Sequence, residues 1–250
     1  GLKYFNGLII DPILNSLEEI VKSVKKFNPD IIIHGNTDSL GIGLGKKLKG
    51  LGKQVFWMLD YQPELYNWDK WNTEGYDMVF ISNRDQIEMW SKRFNCPAYY
   101  LTHGCVVMPL NKDQKHYHKT IFIGSHNNGD WYQERYNLIE DINKLTKVDF
   151  YTKHDVKGRN QIWKEMPMIY HTSDTVLDVS HSWTADGYAS GRYFYSAGLG
   201  GCSITKRFPN CEELYPKETK AYFNTPEEAK DLIEYYSTHE KEREKMKLLA

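Results

Sequence analysis

The chain has 250 residues, enough for one large domain or two of ordinary size, and its formal charge is −1. Hydrophobic residues make up 40% and charged residues 26%, a globular composition that excludes disordered and fibrous classes. The near-zero charge argues against nucleic-acid binding through bulk electrostatics, although Lys46, Lys47, Lys49 and Lys53, with Lys112, Lys115 and Lys119, could still form a local basic groove or simply solvated faces.

In chain order, LKYFNGLII reads as a strand, and residues 14–27 carry apolar positions at helical spacing up to the Asn28-Pro29 break. DIIIH is a short apolar run of the buried parallel type. GIGLGKKLKGLG reads as a helix with a glycine stop. QVFWMLD and YDMVFIS are strands, residues 84–94 an amphipathic helix, and AYYLTHG a strand ending in a turn. Residues 109–120 are polar and basic and read as a linker or surface loop. The alternation then restarts: strand KTIFIGS, helix 131–145, strand VDFYT, helix 161–171, strand TVLDVS, helix 189–200, strands CSIT and AYF, and helix 226–236 capped by Thr225. A charged helix, HEKEREKMKLLA, closes the sequence.

Strands alternating with helices imply βαβ units and parallel sheets, so the expected fold is α/β. Two such series separated by a break imply two Rossmann-like halves, residues 1–110 and 119–235, with 236–250 packing back on the first. Ligands of such sheets sit beyond the carboxyl ends of the strands, which would place them in a central cleft. No internal repeat is visible. No apolar run reaches the length needed to span a bilayer, the start does not read as a signal peptide, and Cys96, Cys105, Cys202 and Cys211 lack C-x-x-C spacing. They read as reduced thiols of a cytoplasmic protein.

Helix 189–200 opens on Ser190-Gly191-Arg192 and closes on Gly198, Gly200 and Gly201. GRYFYSAGLGGCSIT, then CEELYP, then TPEEAKDLIEYYSTHEKEREKM resemble, in order and spacing, the C-terminal part of glycosyltransferases of the GT-B type, and within them the CgeB-like group named for a spore-maturation protein. YDMVFISNRDQIEMW, YYLTHGC and IFIGSHNNGDWYQERYNLIEDI look similar to the inter-domain region and the first C-terminal strand–loop–helix of that group. The likeness is firm over residues 76–250 and loose before them.

The resemblance implies a sugar transferred from a nucleoside diphosphate, UDP most of all, to an acceptor glycan, protein or modified DNA. It implies no cofactor and no metal, and no convincing D-x-D pair is present to hold one. Arg192, at a helix start where backbone amides already favour an anion, would meet the diphosphate. An arginine in a surface salt bridge is the plain alternative. The donor set would add Gly124, Ser125, His126 and Asn127 from a strand-to-helix loop, Lys153 and Arg159 after VDFYT, and His181 after TVLDVS. Each is equally an ordinary loop residue. Where the group has the acid of R-x-x-E, which holds the ribose, this chain has Tyr195, whose hydroxyl cannot accept as a carboxylate does. Glu212 or Glu213 could reach the sugar instead. His34, Asp38 and Asp60, at carboxyl-end loops of the first half, would face the acceptor, with Asp or His serving an inverting enzyme as base; turn and cap roles are the alternative. Two other readings stay open: a homologue that binds nucleotide or glycan without turnover, favoured by Tyr195, and a phage-type DNA glycosyltransferase acting on modified bases.

Overall fold

A computed structural model describes residues 6–11, 13–35, 38–61, 71–105, 107, 118–126, 132–152 and 156–250, with only the backbone described for Asp38 and residues 156–163. The chain divides into two compact units, residues 1–102 and 103–250.

In the first unit, helix α1 (Leu17–Phe27) starts with a capping box. Ser16 Oγ accepts from the Glu19 amide, and the Glu19 carboxylate accepts from the Ser16 amide at 2.8 Å. Asn28 ends it in the left-handed conformation (φ 54°). Strands β1 (Ile31–His34), β2 (Lys53–Met58), β3 (Met78–Ile81) and β4 (Ala98–Tyr100) form a parallel sheet in the order β1-β2-β3-β4. Phe56, Met58, Val79 and Ile81 pack with Trp90 and Phe94 of helix α4 (Ile87–Phe94) on one face. Two expectations change here. Residues 6–10 carry no strand. The glycine-rich helix expected over 41–52 shortens to α3 (Leu44–Lys47), and Gly43 at φ +63° parts it from a preceding single turn, α2 (Asp38–Gly41).

In the second unit, β5 (His118–Ile123), β6 (Asp149–Tyr151), β7 (Ser173–Asp178), β8 (Ser203–Lys206) and β9 (Ala221–Phe223) form a parallel sheet in the order β6-β5-β7-β8-β9. The chain steps from β5 outward to β6, then crosses back over β5 to β7 and continues the other way. The strand order therefore reverses between β5 and β7. All six positions of β7 are buried, as its central place requires. Helix α5 (Gln133–Leu145) follows β5, and α6 (Val156–His171) runs longer than expected, passing through Pro167.

Helix α7 (Gly191–Gly198) is the glycine-flanked segment. A Cβ on Gly201 would lie 2.7 Å from the Ser196 carbonyl and 2.8 Å from Val176 Cγ2, so that glycine is what lets the chain turn tightly from α7 beside β7. Helix α8 (Pro226–Thr238) is capped by the Thr225 hydroxyl, as its sequence indicates. Helix α9 (Glu240–Leu249), expected on the N-terminal half, belongs to the second unit. Met246 joins that unit's core. The Lys247 ammonium donates to the His171 and Ser173 carbonyls at the amino end of β7, and Arg243 lies 3.7 Å from Asp174. The charged helix is anchored by its own charges because those strand-end carbonyls need donors.

Candidate active site

The site is built at the carboxyl end of the second sheet, at the reversal between β5 and β7. Arg192 stands in the first turn of α7. Its Nε donates to the carbonyl of Ile123, the last residue of β5, and its Nη1 donates to the carbonyl of Val179, just past β7, at 2.8 Å. The guanidinium thus spans the two strands whose order reverses. Its carbon lies 4.5 Å above the Phe122 ring.

Gly124 makes that path possible. A Cβ there would fall on Arg192 Nη2 and within 3.0 Å of Cζ. Its φ of +153° also lies where side chains are strained.

A second guanidinium sits beside the first. Arg135, in α5, is 5% exposed, donates from Nη2 to the Ser125 carbonyl at 2.7 Å, and stacks 4.4 Å from the Tyr132 ring. Burial, then the neighbouring Arg192 charge, pushes its pKa down to about 10. Two partly desolvated cations share one strand end, and the hydrogen bonds described for them go to neutral carbonyls. Such an arrangement favours an anion with several oxygens. The start of α7 adds to it: the Ser190 side chain makes no cap bond to the helix, since its oxygen and its amide turn to Ser180.

Arg135 was missed by sequence reasoning. It shares its helix face with Ile139 and Ile142, all buried. A charge inside an apolar stripe at that spacing was the available signal.

Other expected donor residues divide. His181 lies past the end of β7, its Nδ1 2.8 Å from the Tyr188 hydroxyl. His126 turns into packing: its ring stacks between Phe150 (4.3 Å) and Tyr136 (4.7 Å), and its Nε2 is 2.7 Å from Glu140. The Gly124 amide bonds the Tyr151 carbonyl and the Ser125 carbonyl accepts from Arg135, so these groups and the imidazole serve the packing of the loop. Tyr195 is half-buried, packing against the cluster of Ile121, Ile123, Met166 and Tyr170, and burial raises its pKa. Glu212 is engaged by Arg207 at 2.8 Å and Lys217 at 3.3 Å, and it lines a recess of about 590 Å³ together with Glu213, Trp183 and Arg207. Asn127 and Lys153 lie outside the described residues, and Arg159 is placed by backbone alone in α6.

In the first unit, His34 does not face solvent, because the β1 pleat turns it inward at 4% exposure. Gln54 spends both amide hydrogens on the Gly45 and Gly75 carbonyls, so its oxygen accepts from His34 Nε2 at 3.1 Å. Burial pushes the imidazole pKa down to about 4, leaving it neutral near pH 7. Asp60 is exposed two residues beyond β2, and Asp38 opens α2. Among the described residues no group of three or more His, Cys, Asp or Glu could hold a metal ion, and no helix is long and apolar enough to cross a membrane.

A family model described as glycosyl transferase-like matches residues 114–249, more than half of the chain. The chain belongs to the glycosyl transferase-like family. Solved structures similar to this glycosyl transferase-like chain include an α1,3-fucosyltransferase (15% identity, TM-score 0.51, covering 88% of this chain and 69% of that one). TarM matches at 10% identity and TM-score 0.59, with 93% and 53% covered. The pneumococcal O-GlcNAc transferase GtfA, in complex with UDP and GlcNAc, matches at 15% and 0.51, with 92% and 54% covered. The chain spans about half the length of the latter two. At these identities the likeness is one of fold, and that fold, two sets of parallel strands with helices, is the GT-B architecture. No curated protein matches the sequence.

Proposed function

We propose that this glycosyl transferase-like chain transfers a sugar from a nucleoside-diphosphate sugar, with the diphosphate held where β5 and β7 diverge. The observation that carries the reading is Arg192, which bridges Ile123 and Val179 at the reversal point of the sheet. Ligands of open parallel sheets bind at that place. As the glycosidic bond breaks, negative charge grows on the departing diphosphate, and the Arg192 and Arg135 guanidiniums would offset it without a metal ion. UDP is the favoured nucleotide, since GtfA was solved with UDP and a TarM variant from S. aureus with UDP and a GlcNAc-glycerol. The order of motifs around Arg192 supports placing the chain in the CgeB-like group. Its four cysteines, all unpaired, support a cytoplasmic setting.

On the acceptor side Asp60 and Asp38 remain the candidate proton acceptors, for a glycan, protein or modified-DNA hydroxyl. His34 is the weakest of the three candidates, since it is buried, its Nε2 hydrogen goes to Gln54, and burial lowers its basicity. A second reading, binding without turnover, is favoured by Tyr195, which is half-buried against an apolar cluster where the related group carries an acid. Incubation with UDP- and GDP-sugars separates the two. Release of free nucleoside diphosphate, abolished in Arg192→Ala, supports transfer; tight UDP binding with no release supports the second reading. If neither UDP nor GDP binds, the donor site is not where β5 and β7 part.

A further inference from the structure

Beneath α7 lies a buried charge that the donor site as described does not use. Lys220, the residue before β9, is 2% exposed. Its ammonium donates to Ser196 Oγ at 3.1 Å and lies 4.1 Å from the Tyr193 ring, and both partners belong to α7. It is also 3.6 Å from Asp178 Oδ2, at the last position of β7, which is 1% exposed. The Tyr215 ring approaches it from another side at 5.5 Å. Ser203 of β8 reinforces the node by donating to Ser196 Oγ at 2.7 Å.

This node and Arg192 grip the same strand end. Asp178 faces Lys220, and the next residue, Val179, offers its carbonyl to Arg192. Tyr193, which lies over the Lys220 ammonium, directly follows Arg192 on the helix. A shift of α7 away from β7 would therefore drag Arg192 off its two carbonyls. An apolar side chain would fill the same space without the cost of desolvating a charge, so a lysine kept here calls for a role beyond packing.

We propose that Lys220 is a positioning residue for the donor site: its buried ammonium pins α7 to the carboxyl end of β7 and so fixes where the Arg192 guanidinium lies. The inference rests on the donor-site reading above. The groups facing the ammonium are Asp178 of β7, Tyr193 of α7, Tyr215, Cys105, and Cys202 just ahead of β8. Burial pushes the two tyrosines and two thiols upward, so they stay neutral through mildly alkaline pH. Burial also raises Asp178, which Lys220 in turn favours as the carboxylate. Lys220 itself is pushed down to about 8, chiefly by burial, so the pin loses its charge as pH rises through that value.

The test is UDP binding by calorimetry at pH 7 and pH 9. It compares the wild-type chain with Lys220→Met and with the double variant Asp178→Asn/Lys220→Met. The double variant removes both charges and so avoids stranding a buried carboxylate, which could unfold the single variant. Wild-type affinity should fall about tenfold between the two pH values, as one charge-assisted contact is lost. The double variant, still folded, should bind about tenfold more weakly at pH 7 and show no further loss at pH 9. A folded double variant with the wild-type affinity and the wild-type pH profile overturns the positioning role alone. No UDP or GDP binding by the wild-type chain overturns the donor-site reading, and this inference with it.

Discussion

Gly124→Ala tests the site with a single methyl group. The new Cβ would fall on Arg192 Nη2 and within 3.0 Å of Cζ, at a backbone angle of +153° that alanine adopts only with strain. The backbone of β5 cannot yield, since Ile123 is paired with Tyr151 and the Gly124 amide bonds the Tyr151 carbonyl at 3.3 Å. The arginine must move. Leaving the Ile123 and Val179 carbonyls sacrifices two charge-assisted hydrogen bonds, each worth about 1.5–3 kcal/mol, although water recovers much of that at a part-buried position. Global stability should fall by about 2 kcal/mol, measured by urea denaturation with far-UV circular dichroism. UDP affinity should fall more, about 10- to 100-fold, because the displaced guanidinium loses its aim at the phosphates. Arg192→Lys should resemble it, since an ammonium cannot bridge two carbonyls in one plane. A Gly124→Ala chain that binds UDP as tightly as wild type would refute the placement of Arg192 over that glycine.

Arg135→Met removes the buried partner cation while keeping much of its volume. It should weaken UDP binding about fivefold or more and leave the Ser125 carbonyl short of a donor, lowering stability by about 1 kcal/mol; calorimetry and denaturation read the two effects separately. Gly201→Ala forces a Cβ against the Ser196 carbonyl and Val176, and should cost about 1–3 kcal/mol in urea midpoint analysis, with no compensating relaxation available between helix and strand. His34 predicts a pH effect in the first unit. Its folded pKa, about 4, lies below the ordinary 6.5, so the unfolded chain binds more protons between these values. Its contribution is complete above about pH 6.5 and is lost as pH falls towards 4, up to about 3 kcal/mol. His34→Asn should flatten that acid slope in denaturation curves at pH 7, 5.5 and 4.5; an unchanged slope would show that other groups set it.

Much of the second unit was legible in the sequence. Short apolar runs rich in β-branched residues, such as TVLDVS, read as buried parallel strands because they alternate with helical segments, and Thr225-Pro226 announces α8 in two residues. Arg192 stood out through the resemblance carried by the motifs around it; the helix start alone allowed a surface salt bridge, and the structure instead gives it two carbonyl partners. The rest depended on contacts between distant residues. His34 and Asp60 both close strand-like runs, yet His34 is still within β1 and its pleat turns it inward, while Asp60 lies two residues past β2 and is exposed. His126 looked like part of a phosphate loop until Phe150 and Tyr136 closed on its two faces. Arg135 meets the charge of Arg192 from 57 positions away and Lys220 meets Asp178 from 42, and no local pattern joins either pair.

Strand β7 is gripped at both ends by residues that come later in the chain. Arg192 and Lys220 act at its carboxyl end, and Arg243 and Lys247 at its amino end. During synthesis the ribosome must therefore release nearly all of this sequence before that strand is locked. A nascent chain halted before residue 240 would already carry the carboxyl-end grips of Arg192 and Lys220 but would lack the amino-end clasp.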